Sequence, residues 1–130
     1  MLDTSAILTK LYDEEGSNVV TSVIEAAKEK RTIVYLPFMS LMEVKYRLAR
    51  RYPSKVESLL SIILAWPLKE EHSSRQWCDK AAELKAPGQL SVADAWIASL
   101  AFLQDAELIH KDPEFDKILH LKAVRLPDKK

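Results

Sequence analysis

Four acidic residues lie where an apolar stretch of the sequence meets a predicted helix start: Asp3, Glu43, Asp94 and Asp112. Each suits a helix-capping role, because a carboxylate accepts hydrogen bonds from the free N–H groups of a first turn. If the four converge instead, each close pair repels by about 4 kcal/mol at an effective dielectric constant of about 20. A cation would offset this repulsion, and an all-oxygen site suits Mg²⁺ or Mn²⁺. Two interpretations therefore stay open: capping alone, or a metal site for phosphoryl chemistry.

The surroundings of Asp94 favour the metal site. Asp94 shares a predicted helix face with Ile97 and Ala101, and the rest of that helix is almost entirely apolar. A carboxylate at the start of such a core helix has a desolvation cost unless a nearby opposite charge compensates for it. Asp3 and Asp112 follow predicted strands, which places them at the carboxyl edge of a parallel sheet. Open α/β sheets bind their ligands at that edge.

Apolar spacing and turn residues predict helices that alternate with short strands. Strands that alternate with helices pair in parallel and need helices on both faces of the sheet. We therefore predict an α/β fold with more helix than strand. The predicted strands comprise residues 33–36, 66–68, 107–110 and 123–126, after a very short apolar start, and the predicted helices begin near residues 6, 17, 40, 53, 74, 91 and 115.

Composition limits the class of protein. The 130 residues, 48% hydrophobic and 29% charged, fit one compact domain. The 19 basic and 19 acidic residues cancel, which argues against bulk electrostatic binding to nucleic acid or membranes. The single cysteine, Cys78, excludes an internal disulfide, and two glycines are too few for the usual nucleotide-binding loops. Because neither a signal peptide nor a membrane-spanning apolar run is visible, we expect a cytoplasmic protein.

A basic stretch follows Glu43 and contains no acid before Glu57. Arg47 and Arg50 lie one and two helical turns from Glu43, on the same predicted face. Guanidinium groups there would hold RNA phosphates, and a neighbouring tyrosine would stack on unpaired bases. The same residues also suit a solvated helix face whose arginines pair with acids. The candidate RNA-binding residues are Arg47 and Arg50, flanked by Lys45 and Arg51.

Four motifs, in order along the chain, resemble those of a known family. Asp3-Thr4-Ser5 follows the first apolar residues, and Ser40-Leu41-Met42-Glu43 opens a predicted helix in the pattern of a capping box. Two longer motifs, residues 91–98 and 108–115, surround Asp94 and Asp112. Together they resemble the PIN domain family, and most closely its short prokaryotic VapC-type toxins. The resemblance implies a three-layer α/β/α fold with a five-stranded parallel sheet flanked by helices, in a single domain over residues 1–130.

The resemblance also implies an activity. It indicates a Mg²⁺- or Mn²⁺-dependent endoribonuclease that hydrolyses RNA phosphodiesters with a metal-activated water, as the toxin of a type II toxin–antitoxin pair. Glu114 falls where the family often has a further acid, Ser5 matches a hydroxyl that supports the first aspartate, and His110 replaces a small hydroxyl residue. The positions that match the family's catalytic and metal-binding acids are Asp3, Glu43, Asp94 and Asp112.

Three partners are expected: an RNA substrate, an antitoxin and a second copy of the chain. An acidic pocket beside helices invites a basic side chain from an inhibitory peptide. An apolar stripe around Ile62 and Trp66 predicts a homodimer surface.

Two alternatives to the ribonuclease remain, a non-catalytic PIN-like binding module and another α/β phosphohydrolase. A HAD-type phosphatase needs a second aspartate two positions after the first, where this chain has Ser5.

Overall fold

The computed structural model describes residues 1–128, in which helices alternate with short strands as predicted. None of the helices in this range has the length and apolar content needed to cross a membrane. One 3₁₀ helix lies at Pro113–Lys117. The α-helices are α1 (Thr4–Leu11), α2 (Ser17–Lys28), α3 (Phe38–Arg51), α4 (Val56–Leu64), α5 (Arg75–Lys85) and α6 (Val92–Leu103), and the strands are β1 (Val34–Pro37), β2 (Leu68–Glu71), β3 (Leu108–His110) and β4 (Ala123–Arg125).

The sheet is parallel throughout the described residues, and its centre is very short. β1 pairs with β2, and β3 pairs with β4. Leu2 forms a parallel bridge with Ile109, and its N–H donates to the carbonyl of Tyr35 at 3.4 Å. The spatial order is therefore β2, β1, residues 1–3, β3, β4. The fifth member of the predicted sheet is one bridging residue, because α1 begins at Thr4.

Helices cover both faces of this sheet. Neighbouring residues in a strand point to opposite faces. Leu2 and Ile109 belong to a buried cluster that they share with α1–α4, whereas Met1 and Leu108 belong to a second cluster that includes Trp77 of α5 and several residues of α6. The alternation places α1–α4 on one face and α5 and α6 on the other. The predicted three-layer α/β/α class is confirmed.

The predicted capping box at Ser40 is wrong. α3 begins at Phe38, and Ser40 lies buried inside the helix rather than before it. Pro37 occupies the N-cap position. The ring of Phe38 packs edge-on against Trp77, with 5.8 Å between the ring centroids. This contact joins distant parts of the sequence and favours a helix that begins close to the strand. Local capping patterns carry no information about such a contact.

Other predicted boundaries differ by a few residues. β2 begins at Leu68 rather than residue 66, because Trp66 packs against the first cluster and a proline cannot donate to a strand ladder. α2 has Gly16, not Ser17, at its N-cap, and α4 begins at Val56 rather than near residue 53. The predicted cap at Ser91 is confirmed, since its hydroxyl accepts from the N–H of the third helical residue at 3.1 Å.

Candidate metal centre

Asp3 is the most buried of the four predicted acids, with 5% of its surface exposed. It ends the central segment of the sheet and caps α1, so one carboxylate oxygen accepts from the N–H of Ala6 at 2.8 Å. The hydroxyl of Ser5 lies 2.8 and 2.9 Å from the two oxygens. Burial raises the pKa of Asp3 to about 6, although these hydrogen bonds oppose the shift. The nearby charges of Asp112 and Glu43 contribute to the raised pKa, and both residues line the same cavity as Asp3.

Ser5 links Asp3 to the end of β3. While its hydroxyl donates to Asp3, its oxygen accepts from the N–H of Lys111 at 3.2 Å. Lys111 directly precedes Asp112, so one side chain connects the ends of two neighbouring strands. The two aspartates are therefore positioned relative to each other by hydrogen bonds to the backbone and to Ser5.

Asp94, Asp112 and Glu114 form a cluster of three carboxylates. One oxygen from each lies within 4.8 Å of the other two. Asp94 belongs to the first turn of α6, whose cap is Ser91, and Asp112 caps the 3₁₀ helix by accepting from the N–H of Glu114 at 2.9 Å. Burial, the charge of Asp112 and a hydrogen bond with Glu114 together raise the pKa of Asp94 to about 7, although a hydrogen bond with Ser91 opposes the shift. These three oxygens are close enough to coordinate one Mg²⁺ or Mn²⁺ ion, which accepts oxygen ligands at about 2.1 Å.

Glu43 faces the same site from α3. Its side chain is half-buried, and burial raises its pKa while the charge of Arg47 lowers it. A cavity of about 250 Å³, here called the acid pocket, brings together the four predicted acids and two basic residues. These are Asp3, Glu43, Asp94 and Asp112, with Arg47 and Lys111.

Capping does not account for this convergence. It uses one oxygen of Asp3 and one of Asp112. Glu43 lies in the second turn of α3, and the cap of α6 is Ser91 rather than Asp94. Asp3 and Asp112 thus combine a capping bond with a place in the acid pocket, where Glu43 and Asp94 also lie.

The four predicted RNA-binding residues do not lie together. Arg47 lines the acid pocket. Arg51 lies one turn further along α3, with its guanidinium 4.6 Å from the ring centre of Tyr12. Arg50 instead covers Tyr46, at 4.9 Å, and the ammonium of Lys45 lies 3.6 Å from Glu57. Neither Lys45 nor Arg50 lines the acid pocket. Arg51 lies four residues after Arg47 and lines a neighbouring cavity together with it, whereas Arg50 does not.

Lys111 is a pocket residue that sequence reasoning missed. Its ammonium lies 3.5 Å from the carboxylate of Glu14, and the two side chains are only 15% and 17% exposed. Its position directly before Asp112, at the end of β3, is the sequence feature that could have predicted its place in the pocket. His110, directly before Lys111, is fully buried with its ring edge-on to Phe115, and burial lowers its pKa. A neutral imidazole therefore stands where a small hydroxyl residue was expected.

The chain is similar to known proteins over nearly its whole length. No curated protein matches it. A chain in the crystal structure of VapBC2 from Rickettsia felis bound to a DNA fragment from their promoter has a TM-score of 0.80 and 20% identity, covering 98% of each chain. A chain in a toxin–antitoxin complex from Klebsiella pneumoniae has a TM-score of 0.65 and 21% identity, covering 95% of this chain and 93% of that one. The family profile of the PIN domain matches residues 1–121, and this chain therefore belongs to the PIN domain family.

Proposed function

We propose that this chain is a metal-dependent endoribonuclease whose acid pocket holds Mg²⁺ or Mn²⁺. The observation that supports the proposal is the convergence of Asp3, Glu43, Asp94 and Asp112 on one cavity, with Glu114 beside two of them. Membership of the PIN domain family supports it independently.

Each side chain of the pocket has a separate task in this proposal. Asp94, Asp112 and Glu114 supply neighbouring oxygen ligands, and Asp3 and Glu43 add negative charge from the other side. When bound, a divalent ion would supply a water that is more acidic than free water, and positive charge at the phosphate.

The basic residues of the pocket serve the substrate. Arg47 and Lys111 line the same cavity as the acids and attract the phosphate that the carboxylates alone would repel. Ser5 holds Asp3 by donating to its oxygens and so fixes one side of the cavity. The arrangement needs no side chain as a covalent nucleophile.

The test is incubation of purified protein with total RNA in Mg²⁺, in Mn²⁺ and in EDTA, with Asp94→Asn purified in parallel. We expect cleavage by the wild type in either metal, none in EDTA and none by the variant. Calorimetric titration with Mn²⁺ should give binding that is lost in the variant. Cleavage that persists in Asp94→Asn at the wild-type rate would contradict the proposal. Metal binding without cleavage of any RNA would favour a non-catalytic binding module.

We also propose that the protein acts in the cytoplasm as the toxin of a type II toxin–antitoxin pair and forms a homodimer. The support is the family and the similarity in fold to chains of VapBC2 and of a toxin–antitoxin complex. An antitoxin arginine or lysine would enter the acid pocket and compete with the metal. A neighbouring reading frame for a small DNA-binding protein, whose product abolishes cleavage when co-expressed, would support the pairing. A monomer by light scattering at high micromolar concentration would contradict the homodimer alone.

A further inference from the structure

A second cavity of about 230 Å³ adjoins the acid pocket. Ser5, Arg47 and Lys111 line both cavities, so the two share a wall. We call the second cavity the cation groove. Its polar lining consists of Ser5, Tyr12, Glu14, Arg47, Arg51 and Lys111.

The two cavities have opposite charge. The acid pocket combines four carboxylates with two cations, whereas the cation groove combines three cations with one carboxylate, Glu14. Glu14 lies 3.5 Å from Lys111, and both side chains are largely shielded from solvent. A lysine in such an ion pair is held at one place, here the boundary between the cavities. Because Glu14 offsets one positive charge, a polyanion that leaves the acid pocket would meet the held ammonium of Lys111 within a groove that stays positive through Arg47 and Arg51.

The far end of the groove presents a guanidinium group held by two tyrosines. Arg51 lies 4.6 Å from the ring centre of Tyr12 and 5.3 Å from that of Tyr52. The two rings pack edge-on, 6.0 Å apart. Nucleobases of single-stranded RNA stack on arginine planes and on tyrosine rings in this way. The groove thus has cations near the acid pocket and a stacking surface further from it. A nucleotide bound with its phosphate at the cations would place its base at the stacking surface.

We propose that the cation groove binds the nucleotide of single-stranded RNA next to the cleaved phosphodiester. Arg47 and Lys111 contact its phosphate, and Arg51 with Tyr12 contacts its base. The inference rests on the proposed ribonuclease activity and adds to it a subsite that fixes where the strand leaves the acid pocket.

The test measures binding of a short, fluorescein-labelled single-stranded RNA by anisotropy, in EDTA, between about 50 and 200 mM salt. Arg51→Ala should weaken binding by about tenfold, because the base loses the guanidinium plane on which it stacks, and should lower the salt slope by well under about 0.7, the value for one lost phosphate contact. Arg50→Ala is the matched control, because it removes the same charge from the same helix outside the groove. It should change the affinity by less than about twofold, as expected for a charge that contacts no RNA.

Two further variants separate the base from the phosphate. Tyr12→Leu keeps an apolar side chain against the core but removes the ring, and should weaken binding by at least about fivefold without changing the salt slope. Arg51→Lys should keep the slope and lose affinity, because lysine is not planar. An RNA that lacks the base next to the cleavage site should bind wild type and Tyr12→Leu equally. Circular dichroism and thermal unfolding establish that each variant is folded.

The results distinguish the subsite from the activity. If Arg51→Ala and Arg50→Ala weaken binding equally, or if neither does, the subsite is overturned even when the wild type cleaves RNA. An unchanged affinity in Tyr12→Leu overturns the contact with the base. Failure of the proposed activity takes a different form, namely no cleavage of RNA by the wild type in Mg²⁺ or Mn²⁺.

Discussion

The acid pocket and the cation groove share a wall but are built from different parts of the fold. The pocket consists mainly of short side chains attached to the ends of strands and the starts of helices, such as Asp3 and Asp112, which hydrogen bonds to the backbone hold in place. The groove consists of long side chains, among them Arg47 and Arg51 from α3. Metal chemistry depends on placement to a fraction of an ångström, whereas attraction of RNA depends on charge and tolerates movement. Pocket substitutions should therefore reduce turnover, and groove substitutions should reduce affinity.

The largest effect is expected from Asp112→Asn. Asparagine caps a helix about as well as aspartate, so the bond to the N–H of Glu114 and the fold should persist. The lost ligand charge should reduce cleavage by about 10²-fold or more while RNA affinity in EDTA stays near wild type. Turnover at saturating RNA, with circular dichroism as the control for folding, measures this. Near-wild-type turnover would mean that Asp112 only caps.

Ser5 lines both cavities, and Ser5→Ala should affect the pocket more than the groove. The change removes the donor to Asp3 and the acceptor of the Lys111 N–H. Loss of such a supporting bond typically weakens metal binding by about 10- to 100-fold. Because the Ser5 bond lowers the pKa of Asp3, its removal should also move metal binding to higher pH. Titration with Mn²⁺ at several pH values checks both effects. Ser5→Thr, which keeps the hydroxyl, is the control and should retain most of the affinity.

A fall in pH should weaken metal binding in the acid pocket but not RNA binding in the cation groove, without any mutation. The pKa values of about 7 for Asp94 and about 6 for Asp3 mean that protons compete with metal in this range. Mn²⁺ affinity should therefore fall by roughly tenfold between about pH 8 and pH 6. RNA affinity in EDTA should not fall, since arginine and lysine keep their charge. Equal pH dependence of both affinities would contradict the division between pocket and groove.

The smallest effect concerns stability without metal. The pKa of Asp94 is about 7 in the folded protein and near 4 in an unfolded chain, so its ionisation opposes folding. The protonated carboxyl of Asp94 therefore favours the folded state. This contribution to the free energy of unfolding is complete below about pH 4 and is lost as the pH rises through 7. Asp94→Asn cannot ionise, and in EDTA at about pH 8 it should melt roughly 2–4 °C above the wild type. The difference should shrink toward about pH 5. A constant difference at all pH values would indicate a packing effect instead.

The acid pocket was the more predictable of the two regions. The apolar runs before Asp3 and Asp112 identify strand ends, and parallel strands bring their carboxyl ends to one edge. Asp94 was predicted from its core helix. Local patterns therefore predict Asp3, Asp94 and Asp112, because each lies at a boundary of a secondary-structure element. Glu43 was predicted from a capping-box pattern that the structure does not show, and the family resemblance supported its place in the site independently.

The cation groove could not be predicted in the same way. Tyr12 and Glu14 lie in the turn between α1 and α2, and only the packing of that turn beside the end of β3 brings Glu14 to Lys111. The structure places Arg51 rather than Arg50 at the groove for a related reason, while RNA binding by either residue stays a prediction. Both arginines lie near the face of Glu43, and the position of α1 relative to α3 determines which of them meets a neighbour. Contacts between distant parts of the chain determine which arginine lies at the groove. Such contacts also determine where α3 begins.

The short centre of the sheet has a consequence for local motion. Three backbone amide hydrogen bonds hold residues 1–3 between β1 and β3: Leu2 N–H to Tyr35 O at 3.4 Å, Asp3 N–H to Ile109 O at 3.2 Å and Ile109 N–H to Met1 O at 2.9 Å. The terminal ammonium of Met1 adds a bond to the carbonyl of Glu107 at 2.8 Å. A brief opening of this segment exposes those amides to exchange with solvent deuterium and displaces Asp3 at the same moment. Because metal would bind only the closed form, its binding should slow exchange at these amides in proportion to saturation. Amide exchange at the middle of the sheet is thus coupled to the occupancy of the acid pocket.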